Sequence, residues 1–357
     1  MKSKCLVLLI LFLIAATLVA CSAEEEPIVV DEPEVESYPE EEPMETTAPY
    51  TGPRNPLTFL PVDDEIAQMR PWAVVVNNLT RAMPHHGLIH ADIIYELPVE
   101  GGITRLLALF QDIEGAGEIG PVRSARNYML DIAMGHDALF IHAGGSPQAY
   151  EDIGRRQVNN IDGVLGTGRE FRRDSDRASR HGQEHALMTT DALLLEHIDS
   201  FNYRRTHESG FFTGLAFHES AIPESGDPAD EIEVVFSGQK STNFRFDATS
   251  GRYYVYQHGG AHVDGLTDEH LAVTNVLVLF ADFTVIDAEG RLRVDFTRGG
   301  DGYFATGGYI IPINWTKDGP DAPFVYSLQN GLPLEMGIGT SWINIVNENT
   351  GSVNLAG

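Results

Sequence analysis

Cysteine is almost absent from this chain, whose 357 residues include only Cys5 and Cys21. Cys5 lies in the N-terminal apolar segment, so a chain that has lost this segment keeps one thiol and cannot form an internal disulfide. The sequence also lacks the G-x-S-x-G motif that carries the nucleophile of α/β-hydrolases. These absences exclude a fold that depends on disulfides, and they argue against a serine or cysteine nucleophile of the familiar kinds.

No apolar run of the sequence is long enough to cross a membrane as a helix. The run at residues 6–19 has fourteen residues, whereas a transmembrane helix needs roughly 20. Lys2 and Lys4 precede it and Leu18-Val19-Ala20-Cys21 follows, which is typical of lipoprotein signal peptides. We therefore predict a lipoprotein signal peptide at residues 1–20, lipidation of Cys21, and attachment to the extracytoplasmic face of the cell membrane. The alternative is an ordinary signal peptide followed by an incidental cysteine.

Positive charge is scarce throughout the chain. Residues 22–50 contain eleven acidic residues, repeated prolines and no Lys or Arg, and such a segment cannot bury enough apolar surface to fold. We therefore predict an acidic, Pro-rich disordered tether at residues 21–60. Residues 51–357 have 41 acidic residues against 22 Lys and Arg, a net charge of −19. Nucleic acid is thus not expected as a partner, and the membrane should be reached through the lipid anchor and not through a cationic face.

The pattern of apolar residues divides the rest of the chain into two halves. In residues 61–222, β-branched runs such as 72–76 alternate with segments of helical spacing such as 124–134. Residues 231–350 contain short β-rich runs separated by Gly, Asp or Asn turns. The sequence therefore predicts an α/β fold with an N-terminal α/β domain at 61–222 and a mostly β C-terminal domain at 231–350. The alternative, in which the two halves share one sheet, is equally compatible with the pattern. The aromatic residues of the second half are expected mostly in the core, with stacking on sugar rings as the alternative.

Charged and polar side chains concentrate between residues 77 and 146. Two segments there, 120–126 and 143–147, place a glycine-containing turn before the predicted start of a helix. Free N–H groups at helix starts bind anions, and glycines let the backbone approach a ligand closely. Arginine at a helix start is unfavourable for the helix dipole, so Arg123 and Arg126 need another reason to be there. The candidate ligand-binding residues are Asn77, Glu96, Glu100, Arg105, Arg123, Arg126, His142 and Ser146.

Two interpretations of this cluster are open. In the first, its arginines bind an anionic group. In the second, Arg123 and Arg126 pair with Glu96 and Glu100 in a buried network that only stabilises the fold. Ser146 is better explained as a helix N-cap than as a nucleophile, because a proline follows it. No catalytic residue is therefore assigned.

One motif is typical of metal sites. The segment His181-Gly182-Gln183-Glu184-His185 matches H-x-x-E-H, in which a helix presents two histidines and a glutamate to zinc. Gly182 disfavours a helix, and the helix-start signal comes only at Thr190. We therefore expect a loop here, and neither a metal nor another cofactor.

Several segments resemble the successive motifs of the YerB-like lipoproteins, a family catalogued mainly as a domain of unknown function. The resemblance covers residues 70–346, and its motifs are RPWAVVVNN at 70–78, ADIIYE at 91–96, EGGITR at 100–105, IGPVRSAR at 119–126, HAGGS at 142–146, GGYI at 307–310, NWTK at 314–317 and GTSWI at 339–343. It implies a layered α/β sandwich on the outer face of a bacterial cytoplasmic membrane, and no established reaction. The sequence departs from the family at Glu184-His185-Ala186, where the family tends to have Pro-His-Asn. This departure removes an amide and puts a role for His185 in doubt.

Three functions are compatible with these observations. The first, which we favour, is a binding module for an anionic, phosphorylated polymer or lipid-linked precursor of the cell envelope. The second is an enzyme that processes phosphoryl or glycosyl groups of the same substrate, with Glu96, Glu100 or His142 as acid or base. The third is a structural protein that acts by contact with a protein partner, which the sequence does not identify.

Overall fold

The computed structural model describes residues 50–219, 222–223 and 225–356. The predicted signal peptide, the lipidation site Cys21 and most of the predicted tether lie outside these residues. The predicted end of the tether at residue 60 lies too far along the chain, because residues before it already belong to the folded part. Leu57 is buried, and Asn55 Nδ2 donates a hydrogen bond of 2.8 Å to Asp92. The acidic composition stops before this apolar stretch, which packs on the folded part of the chain.

The N-terminal half alternates strands and helices, as predicted. Its main strands are β1 (Trp72–Asn77), β2 (Ile93–Pro98), β3 (Thr104–Phe110), β4 (Leu139–His142) and β5 (Asn160–Asp162). Its main helices are α1 (Asn127–Gly135) and α2 (Pro147–Arg156). Shorter helices are Asp64–Gln68, Ser175–His181 and Asp191–His197, and shorter strands are Glu118–Ile119, Phe171–Arg173 and Leu187–Thr190.

The C-terminal half consists mostly of strands, also as predicted. They are β6 (Glu231–Ser237), β7 (Lys240–Asp247), β8 (Arg252–Gln257), β9 (Asn275–Ala281), β10 (Gly300–Thr306), β11 (Tyr309–Thr316), β12 (Ser341–Asn347) and β13 (Ser352–Ala356). Shorter strands are Phe217–His218, Asp227–Pro228, Gly260–Ala261, Ala272–Val273, Phe283–Val285, Leu292–Val294, Val325–Leu328 and Met336–Gly337.

One large sheet contains strands of both halves, in the order β5-β4-β1-β3-β2-β12-β9-β10-β11. The halves meet where β2 pairs in parallel with β12, from Ile93 opposite Ser341 to Glu96 opposite Asn344. At the other end, β1, β4 and β5 are parallel neighbours. Their carboxyl ends therefore lie at the same edge of the sheet.

The large sheet is covered on both faces, which makes the fold a layered α/β sandwich. A smaller sheet, β8-β7-β6-β13, packs on one face, and α1 and α2 pack on the other. Side chains alternate between the two faces, so Val74 and Val76 join the core beneath the small sheet while Ala73 and Val75 join the core beneath the helices. Burial on both faces explains why these strands are continuously apolar in sequence.

The helix predicted at 124–134 begins three residues later than expected. Asn127 is its first residue and Arg126 its N-cap, because Ala125 is still extended and pairs with Gly145. Arg126 therefore precedes the helix and does not lie inside its first turn. No helix of the described residues is long and apolar enough to cross a membrane.

Candidate functional site

The carboxyl ends of the parallel strands β1, β4 and β5 form an edge of the kind where α/β sheets commonly bind ligands. Asn77, His142 and Asp162 are the last residues of these strands. Segment 121–125 crosses the edge between β1 and the glycine loop 143–146. The fold thus brings most of the predicted cluster to one region.

A cavity of about 600 Å³ opens at this edge. Its lining includes Arg123, Ser124, Gly144, Gly145, Tyr150, Val164, Leu165, Arg173, Gln183 and Glu184. Arg123 is the one predicted ligand-binding residue in this lining. The sequence analysis did not place Arg173 or Glu184 in this cluster, because the segment of Arg173 has no motif and Glu184 was considered only as part of a zinc motif. Only the fold places both beside Arg123.

Arg123 differs from the other arginines of the cluster. Its side chain is half-buried, and in the part of the chain that the structure describes no hydrogen bond or ion pair involves its guanidinium group. Burial lowers the pKa of Arg123, the charge of Glu184 opposes this shift, and the charge of Arg126 adds to it. Arg123 is therefore a partly desolvated cation that faces a cavity without a bound partner.

Arg126 and Arg105 flank Arg123 but have partners of their own. Arg126 binds Glu100 through two parallel hydrogen bonds of 2.6 Å each, and its Nη1 donates to the carbonyl oxygen of Ala125 at 2.8 Å. Arg105 Nη1 donates to the carbonyl oxygen of Ser124 at 2.7 Å. Burial, with the nearby charges of Arg126 and Arg123, lowers the pKa of Arg105 to about 9. The three cations thus repel one another, and Glu100 balances only part of their charge.

Glu96 does not join this cluster. Its carboxylate lies in the interior between the two sheets, 3.0 Å from Lys240 Nζ, and accepts hydrogen bonds from the hydroxyl groups of Thr104 and Thr242. Of the two predicted Arg–Glu pairs, the structure therefore forms only the one between Arg126 and Glu100.

His142 and Ser146 have structural partners. His142 is enclosed, with Nδ1 2.8 Å from the carbonyl oxygen of Gly144 and Nε2 3.1 Å from Asn160 Oδ1. Ser146 caps α2, as predicted, by accepting a hydrogen bond of 3.1 Å from Ala149 N–H. Neither side chain lines the cavity. The Gly144 N–H, which the sequence suggested for anion binding, instead donates to Asp162 at 2.8 Å.

Asn77 is buried and contacts a histidine of the H-x-x-E-H segment. Its Nδ2 is 2.8 Å from His185 Nδ1, and His185 Nε2 is 3.7 Å from Glu184 Oε1. His181 ends its helix, and Gly182, with φ of 99°, separates it from a 3₁₀ turn at Gln183–His185. The predicted loop is thus partly helical, but the two histidines do not share one helix face.

The structure offers no metal centre among the residues that it describes. No group of three or more His, Cys, Asp or Glu side chains is arranged there to hold a metal ion. The cavity offers guanidinium groups, one carboxylate, the hydroxyl groups of Ser124 and Tyr150, the amide of Gln183, and apolar side chains at the rim.

The fold and this cavity define a layered α/β protein with an open, partly basic cavity at the edge of its central sheet. Two models of one family match the chain: the N-terminal domain of the protein of unknown function DUF3048 matches residues 57–204, and the DUF3048 C-terminal domain matches residues 232–343. The chain belongs to this family, which confirms the resemblance inferred from its motifs.

A relative from Bacillus subtilis (strain 168) supports this assignment. YerB, a lipoprotein by its assigned name, is 31% identical over 298 residues, which cover 82% of this chain and 85% of YerB. The crystal structure of YerB from Bacillus subtilis superimposes with a TM-score of 0.74 at 28% identity, covering 84% of this chain and 99% of that one. The layered fold is therefore the fold of the relative as well.

Proposed function

We propose that this protein is a membrane-anchored lipoprotein that binds an anionic, phosphorylated component of the cell envelope on the extracytoplasmic side of the membrane. The lipid anchor is supported by the sequence before Cys21 and by the name of the relative YerB. The binding function rests on one observation, the guanidinium of Arg123 in the cavity without a hydrogen bond or ion pair among the described residues. A phosphate is the natural partner for such a group, because it presents several acceptor oxygens and negative charge.

The surrounding charges favour an anion at this position. The charge of Arg126 lowers the pKa of Arg123, and the charges of Arg126 and Arg123 lower the pKa of Arg105, so a bound anion would relieve repulsion that is already present. Arg173 lies in the cavity wall and donates to the carbonyl oxygen of Gln183 at 2.6 Å. Among the described residues its side chain makes no other hydrogen bond, so its other donors are available. This local positive charge contrasts with the net charge of −19 over residues 51–357.

The rim of the cavity favours a phosphate that is carried on an apolar group. Val164 and Leu165 line the cavity and are 60% and 71% exposed. Large apolar side chains exposed next to a polar site commonly contact a ligand. A lipid-linked envelope precursor would place its phosphate at Arg123 and its apolar chain on this rim.

Binding is favoured over catalysis by the surroundings of the acid–base candidates. Glu96 and His142 are enclosed and hydrogen-bonded, and both oxygens of Glu100 accept from Arg126. A general acid or base must reach the proton that it transfers. None of these three side chains reaches the cavity.

Thermal unfolding of the purified protein with farnesyl phosphate, farnesol and inorganic phosphate tests the proposal. A ligand at 100 times its dissociation constant adds about 2.7 kcal/mol to stability. Farnesyl phosphate should therefore raise the melting temperature of the wild type, and farnesol should not. The rise should be lost in Arg123→Gln and kept in Arg155→Gln, which removes the same charge at an exposed position of α2 outside the cavity. An equal rise in Arg123→Gln, or none in the wild type, would contradict the proposal.

A further inference from the structure

A second cavity, of about 510 Å³, lies on the opposite flank of the large sheet, at β9, β10 and β11. Its side chains combine apolar rings with hydrogen-bonding groups: Phe280, Tyr303, Pro312, Asp301, Gln329 and Glu348. Its middle strand, β10, is six strands away from β4 in the large sheet, which is roughly 29 Å at about 4.8 Å per strand. It is therefore a separate site from the cavity at Arg123.

The apolar side chains of this cavity lie on the face of the large sheet that packs on the small sheet, but the small sheet does not cover them. Side chains alternate along β10, so Tyr303 and Ala305 lie on the same face of the large sheet. Ala305 is buried beneath the small sheet, whereas Tyr303 is 37% exposed. Pro312 is the partner of Tyr303 on β11 and is also exposed. The small sheet thus ends between these positions and leaves an aromatic surface open.

The aromatic surface has a fixed geometry. The rings of Phe280 and Tyr303 are 6.1 Å apart and meet edge to face at 77°. Phe280 is half-buried and comes from β9, in the middle of the sheet, so it restricts the position of the Tyr303 ring. A rigid exposed ring of this kind loses little conformational entropy when a flat apolar surface packs against it.

Hydrogen-bond acceptors surround this ring. In the described part of the chain, the carboxylates of Asp301 and Glu348 take part in no hydrogen bond or ion pair, and Gln329 offers an amide. No basic residue lines the cavity. Anions would be repelled here, whereas hydroxyl groups, which are donors, would find free acceptors on the carboxylates.

We propose that this surface binds an uncharged glycan. A pyranose ring has one face of C–H groups, which packs against an aromatic ring, and hydroxyl groups at its rim, which donate to carboxylate and amide oxygens. The cavity presents this combination, and its acidic character distinguishes it from the basic cavity at Arg123. The proposal does not depend on phosphate binding, and together the two sites would let one protein contact a glycan and a phosphate about a sheet width apart.

Saturation-transfer NMR of the full-length protein with chitotetraose and cellotetraose tests this proposal. Saturation should pass to the C–H protons of at least one of these neutral glycans. Tyr303→Ala should weaken binding about tenfold, because it removes the ring on which the sugar would pack, and tenfold is the upper range of what one pair of aromatic rings contributes beyond buried area. Tyr303→Phe, which keeps the ring, should bind like the wild type. Tyr309→Ala is the matched control, because Tyr309 is 42% exposed on the neighbouring strand and lies outside the cavity.

Three results would overturn the proposal. The first is the absence of saturation transfer from the folded wild type to either glycan. The second is equal loss of binding in Tyr303→Ala and Tyr309→Ala. The third is tighter binding of the cationic chitosan tetramer than of chitotetraose, which would mean that the carboxylates recognise ammonium groups. Far-UV circular dichroism at the temperature of the NMR experiment should show that all variants are folded, because Tyr303 and Tyr309 are 37% and 42% exposed and neither belongs to the buried core.

Discussion

The ion pair between Glu96 and Lys240 joins the large sheet to the small one, and its removal should be costly. Glu96 is fully buried on β2, and its Oε1 lies 3.0 Å from Nζ of Lys240 on β7. The same carboxylate accepts hydrogen bonds from Thr104 at 2.7 Å, Thr242 at 2.8 Å and Asn78 at 2.9 Å. Lys240 and Thr242 come from the small sheet, whereas Thr104 and Asn78 come from the large-sheet side, so the carboxylate is fully satisfied only when the sheets are packed together.

The substitution Lys240→Met removes the cation and keeps most of the side-chain volume. It leaves the charge of Glu96 buried without a counter-ion, which typically costs about 3–5 kcal/mol. This is a large part of the roughly 5–15 kcal/mol by which most domains are stable. In the double variant Glu96→Gln, Lys240→Met no buried charge remains, so its loss should be smaller than the sum of the two single losses by about 1–3 kcal/mol.

Equilibrium unfolding in urea measures these differences as shifts of the midpoint. Arg245→Met is the matched control, because Arg245 lies on the same strand and also has a carboxylate 3.0 Å away, Glu231, but both side chains of that pair are about half exposed. Exposed pairs contribute about 0–1 kcal/mol. The reasoning is refuted if Lys240→Met costs no more than Arg245→Met, or if the double variant loses the full sum of the single losses.

Two further predictions concern the site and the response to acid. Arg126→Ala should lower the free energy of unfolding by about 2–3 kcal/mol. This is less than for a fully buried pair, because the side chains of Arg126 and Glu100 are 12% and 18% exposed. An unchanged urea midpoint would contradict the pairing. Burial lowers the pKa of His85 from 6.5 to about 3, so below pH 6.5 the unfolded chain binds a proton that the folded chain does not. Stability should therefore fall as the pH drops below 6.5, by about 3 kcal/mol for His85 at pH 4.5, and more gently in His85→Gln.

The strands of the large sheet could be predicted from sequence because they are buried on both faces. The run predicted at 72–76 corresponds to β1, which extends to Asn77. A strand covered on both sides must be apolar at every position, and this signal does not depend on which strand is its neighbour. The same apolar signal does not show which strands are neighbours, so the pairing of β2 with β12 could not be inferred from the sequence.

Lys240 shows why the buried ion pair was missed. It follows Ser237-Gly238-Gln239, which in sequence is typical of an exposed hairpin turn, where lysine needs no partner. Its partner Glu96 lies in the other half of the chain, and only the packing of one sheet on another brings the two charges together. The sequence therefore assigned Glu96 to the nearest arginines, whereas tertiary structure assigns it to a distant lysine.

Asp162 explains why the glycine loop is not itself an anion site. Its Oδ1 accepts hydrogen bonds of 2.8 Å from the N–H groups of Gly144 and Val164, and its Oδ2 accepts one of 2.8 Å from the Tyr150 hydroxyl. Burial raises the pKa of Asp162, but these donors outweigh it and hold the pKa below its usual value, so the carboxylate stays charged. A protein carboxylate thus already occupies the loop, and a phosphate entering the cavity would be repelled from it towards Arg123. The glycine loop connects β4 to α2 and is held by Asp162 of β5, so the phosphate binding that we propose depends on the arginines.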